Sequence, residues 1–456
     1  MSADLICLTA QEIVAGVRAR RFTATSVAQA FLTRIEAQNP KINAYTLLTA
    51  ERALREAAQV DAAITAGGDP GPLAGAPYAV KNLFDLEGEV TVAGSKINRD
   101  DPPATQDATA VARLANAGAV CLGATNMGEY AYDFVTINAH DGATRNPHDL
   151  SRSAGGSSGG SGAAVAAGLA AFALGTDTNG SVRVPSSFCG VWGLKPTYGC
   201  LSRAGVFPFV DSLDTVGVLA RGVSDLAGAF DAIAGADAQD LSPEIDVGVR
   251  GMRIATLEGY FARGRTPELS AALAAVAGAL GASSAVELPR PDVARSAAFL
   301  ITAAEAGEFH RERLIRRAAD FDPASRDRLI AGLLAPAVWY LKAQRFRAWW
   351  KGEIARIFEN VDVLIAPATP MSAPGLDEQT FEFDGSTLPL RANVGLFTQP
   401  ITLVGLPVVA APIHQAGRMP TAVQLVGRPN SEVTLLRVAR ELERQSVCSA
   451  RLASGA

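Results

Sequence analysis

Histidine is scarce in this sequence and cysteine is scattered, and both facts narrow the chemistry. The four histidines, His140, His148, His310 and His414, show no HExxH or HxH spacing, which excludes the familiar zinc-hydrolase patterns. The five cysteines, Cys7, Cys121, Cys189, Cys200 and Cys448, are odd in number and form no CxxC. Neither a zinc knuckle nor a disulfide framework is indicated, and buried, reduced thiols are expected. Lysine and arginine form no long run and the net charge is −5, so the basic stripe that nucleic-acid binders use is missing. The longest apolar stretch, Ala163–Leu174, is mostly alanine and too short to span a bilayer. The N-terminus, MSADLICLTAQEI, has no basic segment ahead of an apolar core, which argues against a signal peptide. These absences predict a cytoplasmic protein with no nucleic-acid or membrane partner, no metal and no cofactor.

What is present is a large apolar fraction, 48% of the chain, ample for an extensive core. Helical and strand-like patterns alternate along the whole length, which predicts an α/β fold. No linker rich in proline, glycine or charge divides the chain and no repeat is visible, so residues 1–456 are read as one domain. Its N-terminal helices lie at about 8–65. Thr9 with Glu12 fits a capping box, and Val27, Phe31, Leu32 and Ile35 share one face of a helix ending near Asn39-Pro40. A third helix covers 51–65 and stops at Ala66-Gly67-Gly68-Asp69-Pro70. The core segment, about 66–240, holds a buried strand at Pro77–Leu83 interrupted by Lys81. A helix at 107–117, a strand at 119–123 and a small-residue helix at Ala163–Leu169 follow. Another strand is expected at 253–256. Helices fill about 300–360, where the aromatic segment 338–350 reads as a buried helix, with a partner surface as the alternative. The C-terminal part, about 361–446, carries strands at 361–366 and within 400–426, then a helix at 431–444.

Residues 155–162 read GGSSGGSG, and residues 175–183 read GTDTNGSVR. Both are too poor in bulky side chains to be ordinary core. Serines held among glycines suit acyl transfer: a hydroxyl is the nucleophile, and bare backbone amides can approach a developing oxyanion. A flexible linker would sit in polar sequence, whereas this stretch runs into an apolar helix. A phosphate-binding loop would need a lysine after its last glycine, and none follows. Gly156-Ser157-Ser158-Gly159-Gly160 fits a GxSxG elbow with Ser158 central, but the preceding Asp149–Ala154 is polar and turn-like. An elbow also needs a histidine, and His310 lies in a charged helix and His414 beside QAGR. The base must then be another group. Lys81 can serve, because burial in an apolar strand lowers its pKa. A lysine that snorkels or pairs with Asp85 fits the same residues, and the pattern alone leaves both readings open.

The runs GGSSGGSGAAVAAG and LGTDTNGSVRVPSSFCGVWGLKPTYG closely resemble the amidase signature family. AVKNLFD is similar to its lysine segment, and LIAPATP (364–370) and GLPVVAAPI with AVQLVGRPNSE (405–432) resemble its C-terminal motifs. The resemblance spans essentially the whole chain. It implies a large central mixed β-sheet covered by helices on both faces, and a Ser-cisSer-Lys triad. Ser181 would attack the amide carbonyl, Ser157 would bridge Ser181 to Lys81 across a cis peptide bond, and neutral Lys81 would be the base. The backbone N–H groups of Thr178, Asn179, Gly180 and Ser181 would form the oxyanion hole. An acyl-enzyme, ammonia release and hydrolysis by water would follow. The family usually has glycine where this chain has Asn179. Asparagine tolerates left-handed backbone angles, so the hole is expected to survive with a polar side chain near the acyl site.

Arg183, two residues after Ser181, could hold a substrate carboxylate bidentately, or could pair with a core acid such as Asp177. Arg391 is a second candidate anion anchor. Within the family, NAHDGATRNPHD, AEAGEFHRERL and LRANVGLFTQPITLVGLP are most similar to members that hydrolyse 1-carboxybiuret in bacterial cyanuric acid and s-triazine degradation. That implies cleavage of the terminal amide to urea-1,3-dicarboxylate and ammonia. It also implies a heterotetramer, in which a homodimer carries a small helical partner subunit. The alternatives are the glutaminase component of a tRNA-dependent amidotransferase, or an amidase for biuret or malonamate.

Overall fold

Long runs of small and branched apolar residues give strands that water reaches on neither side. The computed structural model describes residues 5–235 and 240–453. Eleven strands form one sheet: β1 (Tyr45–Leu48), β2 (Pro77–Lys81), β3 (Val120–Thr125), β4 (Phe172–Asp177), β5 (Trp192–Lys195), β6 (Thr215–Ala220), β7 (Ile254–Leu257), β8 (Ser284–Val286), β9 (Val363–Pro367), β10 (Val408–Ile413) and β11 (Thr421–Gly427). Their spatial order is β1-β3-β2-β4-β6-β5-β10-β11-β9-β7-β8. β3, β2 and β4 run parallel, as do β9, β7 and β8, and the remaining neighbours are antiparallel. Every residue of β2, β3, β4, β5, β6, β9 and β10 is buried. Successive side chains of a strand point to opposite faces, so complete burial means that both faces of the sheet are covered. The mixed α/β architecture follows.

The N-terminal helix, Ala10–Arg18, opens with the expected reciprocal cap between Thr9 and Glu12. The second runs on to Ile42 and takes Pro40 inside it. Proline removes one donor near the end of the helix, and Asn43, in the left-handed conformation, still closes the last turn by donating to Asn39 O at 2.7 Å. The third helix occupies Ala50–Thr65. The glycine-serine stretch differs more: a helix already begins at Gly159 and ends at Ala166. Glycine is a poor helix former, but all eight residues are buried, and packing overrides propensity there. The aromatic segment also differs from the expected buried helix. In Ala337–Ile357, Trp350 is fully buried while Trp339 and Trp349 are 54% and 44% exposed. One stripe of that helix meets the core and the rest of its apolar surface faces outward. Among the described residues, no helix is long and apolar enough to cross a membrane.

His310 ends the Pro291–Phe309 helix and is enclosed by aromatic rings, with centroids 4.1 Å from Tyr130, 5.0 Å from Phe309 and 6.0 Å from Phe321. Neither ring nitrogen has a hydrogen-bond partner among the described residues. Burial, with Arg313 nearby, pulls its pKa from 6.5 down to about 3. The unfolded chain therefore takes up this proton first, so stability is full above pH 6.5 and falls as the pH drops towards 3. His310→Phe removes that dependence. Urea denaturation at pH 7.5 and pH 5 is expected to show the variant losing less stability between the two than the parent, by about 1–2 kcal/mol.

Candidate active site

The last residue of β2 is Lys81, and β2 lies parallel to β4 with Val80 opposite Leu174. This pairing brings the lysine beside the segment that leaves β4. Lys81 Nζ donates to Ser157 Oγ at 2.7 Å and to Thr176 Oγ1 at 2.9 Å. All three groups are almost wholly removed from water. Burial pulls the Lys81 pKa down to about 7, against the opposing pull of the Asp214 and Asp177 carboxylates. The lysine is thus held near the point where it can accept a proton at neutral pH. The alternative pairing of Lys81 with Asp85 is not formed; Asp85 accepts from Thr91 instead.

Ser157 follows a cis peptide bond from Gly156. A side chain at Gly156 would run into the backbone of Phe134 and Val135, with a Cβ only 2.7 Å from Val135 N. Ser158 N donates to the Ser181 carbonyl at 3.3 Å, which ties the two serine-bearing segments together. The Ser158 hydroxyl faces the backbone of Thr176, with N and O both at 3.3 Å, so it is a packing group here. His148 and His414 bond to the carbonyls of Cys189 and Gly190. Among the described residues no histidine bonds a serine hydroxyl, and the elbow arrangement does not form.

The loop after β4 is wound around Asp177. Its carboxylate accepts from the amides of Gly180 at 2.7 Å, Val182 at 3.2 Å and Arg183 at 3.4 Å. Arg183 closes on it with Nε and Nη2, both at 2.9 Å. The other guanidinium donors go to Thr398 O, Gln424 Oε1 and Thr402 Oγ1. Against the upward push of burial, Arg183 and Lys195 hold the Asp177 carboxyl below its ordinary value. Both side chains are completely buried. Every donor of Arg183 is satisfied within the protein, so of its two readings the ion pair with Asp177 is the one the structure contains. Gly180 takes the positive φ of the turn, +135°. Asn179 does not adopt a left-handed conformation, so its expected tolerance of one is not called upon. The Gly180 amide is spent on Asp177, while the amides of Thr178, Asn179 and Ser181 meet no acceptor among the described residues.

Ser181 lines a small cavity with Tyr132, Asp133, Thr178, Asn179, Thr302 and Arg328. Its volume is about 10 Å³, room for roughly one water. Phe134, Phe209 and Phe299 also line it. A far larger opening of about 880 Å³, beside Arg152, Glu268 and Arg418, contains none of the three catalytic candidates. Arg391 is not on the cavity wall. It sits 3.4 Å from Asp133, which is. Arg328 reaches the wall directly, lying 3.6 Å over the Tyr132 ring and donating to Tyr132 O at 2.8 Å. Nothing in its sequence context, RDRLIAG, marks it, because the helix that carries it is distant in sequence from the serines.

A profile of the amidase family matches residues 26–436. The chain belongs to the amidase family. This amidase is 49% identical over 444 residues to AtzE, the 1-carboxybiuret hydrolase subunit of Pseudomonas sp. (strain ADP), covering 95% of this chain and 97% of that protein. It is 38% identical to a glutamyl-tRNA(Gln) amidotransferase subunit of Carboxydothermus hydrogenoformans, covering 97% and 98% of the two chains. Among solved structures it is similar to an s-triazine catabolic enzyme described with a vestigial protein complex. The TM-score is 0.96 at 48% identity, with 98% of this chain and 100% of that one covered. A 6-aminohexanoate cyclic dimer hydrolase superposes with a TM-score of 0.84 at 28% identity, covering 96% and 97%. Like its family, this amidase is a hydrolase of amide bonds.

Removing one half of a buried ion pair leaves the other uncompensated. Arg183→Met is therefore expected to destabilise the amidase by about 3–5 kcal/mol, measured by urea denaturation. Arg391→Met, in a partly exposed pair, should cost under about 1 kcal/mol.

Proposed function

We propose that this amidase hydrolyses the terminal amide of 1-carboxybiuret, a small carboxylated ureide, releasing ammonia and urea-1,3-dicarboxylate. Likeness to the 1-carboxybiuret hydrolase over nearly the full length of both chains carries this reading. The more distant amidotransferase relatives make the glutaminase reading second. Ser181 Oγ attacks the carbonyl as its proton passes to Ser157, whose own proton moves to neutral Lys81 along the 2.7 Å contact. The amides of Thr178, Asn179 and Ser181 receive the oxyanion. As the C–N bond breaks, Ser157 delivers a proton to the departing nitrogen and is reprotonated by Lys81. Water then attacks the acyl-enzyme by the same relay, and Ser181 recovers its proton.

Arg328 supplies the carboxylate contact in this reading. One of its donors is spent on Tyr132 O, and it lines the cavity that holds Ser181. A guanidinium with free donors is well suited to a carboxylate. We also infer a cytoplasmic heterotetramer, in which a homodimer of this chain carries two copies of a small helical partner. The likeness to an enzyme described within a protein complex supports a partner. The outward apolar side chains Leu334, Val338, Trp339 and Leu341 are consistent with a covered face. Light scattering of the co-expressed proteins should give the mass of two copies of each.

Ser181→Ala is expected to lower ammonia release from 1-carboxybiuret by on the order of 10⁴-fold, while Ser158→Ala retains activity. In kcat/KM against pH, activity should rise as Lys81 loses its proton, with a midpoint at about 7. A flat profile between pH 5 and 9 would remove Lys81 as the base. Arg328→Gln should raise KM for 1-carboxybiuret at least about tenfold, with a much smaller effect on uncharged biuret. Equal losses on both would assign Arg328 a structural role.

A further inference from the structure

The side chain of Asn179 is a buried polar group at this site that acyl transfer leaves unused. Its Nδ2 donates to Thr302 Oγ1 at 2.8 Å. The two residues are 6% and 2% exposed, and both line the cavity over Ser181. The Asn179 carbonyl accepts from Thr398 Oγ1 at 2.5 Å, so backbone and side chain are each anchored. Oδ1 remains buried without any donor among the described residues. Buried acceptors are nearly always paired, and an unpaired one fixed beside a nucleophile favours a ligand that brings a donor.

The chemistry of amide substrates decides which donor. In a ureide the atom next to the scissile carbonyl is an N–H. In glutamine or malonamate it is a methylene, which cannot donate. A site built to pair with an N–H discriminates strongly against an analogue lacking it, because its own polar atom is then left buried and alone. We propose that Asn179 Oδ1, braced by Thr302, accepts the N–H adjacent to the scissile carbonyl and selects ureides over carbon-chain amides. The proposal rests on the ureide reading above and assigns its specificity to one residue pair.

The test compares kcat/KM for 1-carboxybiuret and biuret with that for malonamate, in the parent, Asn179→Gly, Thr302→Val and the double variant. Where malonamate turns over too slowly, its inhibition constant against 1-carboxybiuret replaces kcat/KM. Asn179→Gly should shift the ratio of ureide to malonamate by more than about tenfold towards malonamate. Thr302→Val should shift it in the same direction by less, and should add nothing once Asn179 is glycine, since its effect acts through the amide. Parallel losses on all substrates would overturn this proposal alone, leaving Asn179 a structural part of the loop. A parent enzyme that turned over no ureide would instead overturn the functional reading, and this proposal with it.

Discussion

The ion pair between Asp177 and Arg183 is the constraint on which the loop carrying Ser181 depends. A carboxylate at the end of β4 gathers the amides of Gly180, Val182 and Arg183. The turn carrying Ser181 is therefore wound around a fixed negative charge. That charge is tolerable in the core only because the guanidinium meets it in a bidentate grip. The same guanidinium reaches Thr398, Thr402 and Gln424. One arginine thus binds the loop carrying Ser181 to segments more than two hundred residues away in the chain. The C-terminal segments holding Thr398, Thr402 and Gln424 thereby help to set where Ser181 stands.

The lysine is positioned by an independent device. Parallel pairing of β2 with β4 fixes the end of one strand beside the end of the other, and Lys81 is the last residue before β2 stops. Since β2 is buried on both faces, the Nζ has no route to water and must find partners inside. Ser157 and Thr176 are those partners. Desolvation then pulls the Lys81 pKa down to about 7, although a lysine is normally protonated there. In the proposed reading, chemistry without histidine follows from placing a lysine at the buried end of β2.

Much of this was legible in the sequence because the relevant stretches are compositionally odd. A lysine inside PYAVK and serines inside glycine runs stand out against an apolar background. The two meanings of Arg183 could not be separated that way, since its partners at 398, 402 and 424 are distant in sequence. Arg328 was invisible for the same reason: RDRL on a charged helix looks like solvent-facing surface. The helical half of GGSSGGSG was missed because glycine argues against a helix locally, while burial of the whole segment is a tertiary fact. β4 was also passed over, as its short sequence FALGTD carries a glycine and ends in a polar Thr-Asp pair, without the alternation that announces a strand. In the helix Ala337–Ile357 the aromatics fall on both the inward and the outward stripe, so counting them could not say which face was covered.

Residues 179 and 180 divide two tasks within one loop. The unusual backbone angle falls on Gly180, where a Cβ would collide with the Thr398 side chain. Residue 179 has no left-handed φ, and in the proposed reading only its main chain is needed for the oxyanion. A side chain there is sterically allowed and chemically unassigned by the triad. It also bonds Thr302 at the same cavity wall, on a helix that carries none of Lys81, Ser157 and Ser181. Recognition can therefore change at 179 and on that helix while Lys81, Ser157, Ser181 and the Asp177 winding stay fixed. In the proposed reading, the acyl-transfer groups come from the sheet and its loops, and the substrate is read by what packs over them.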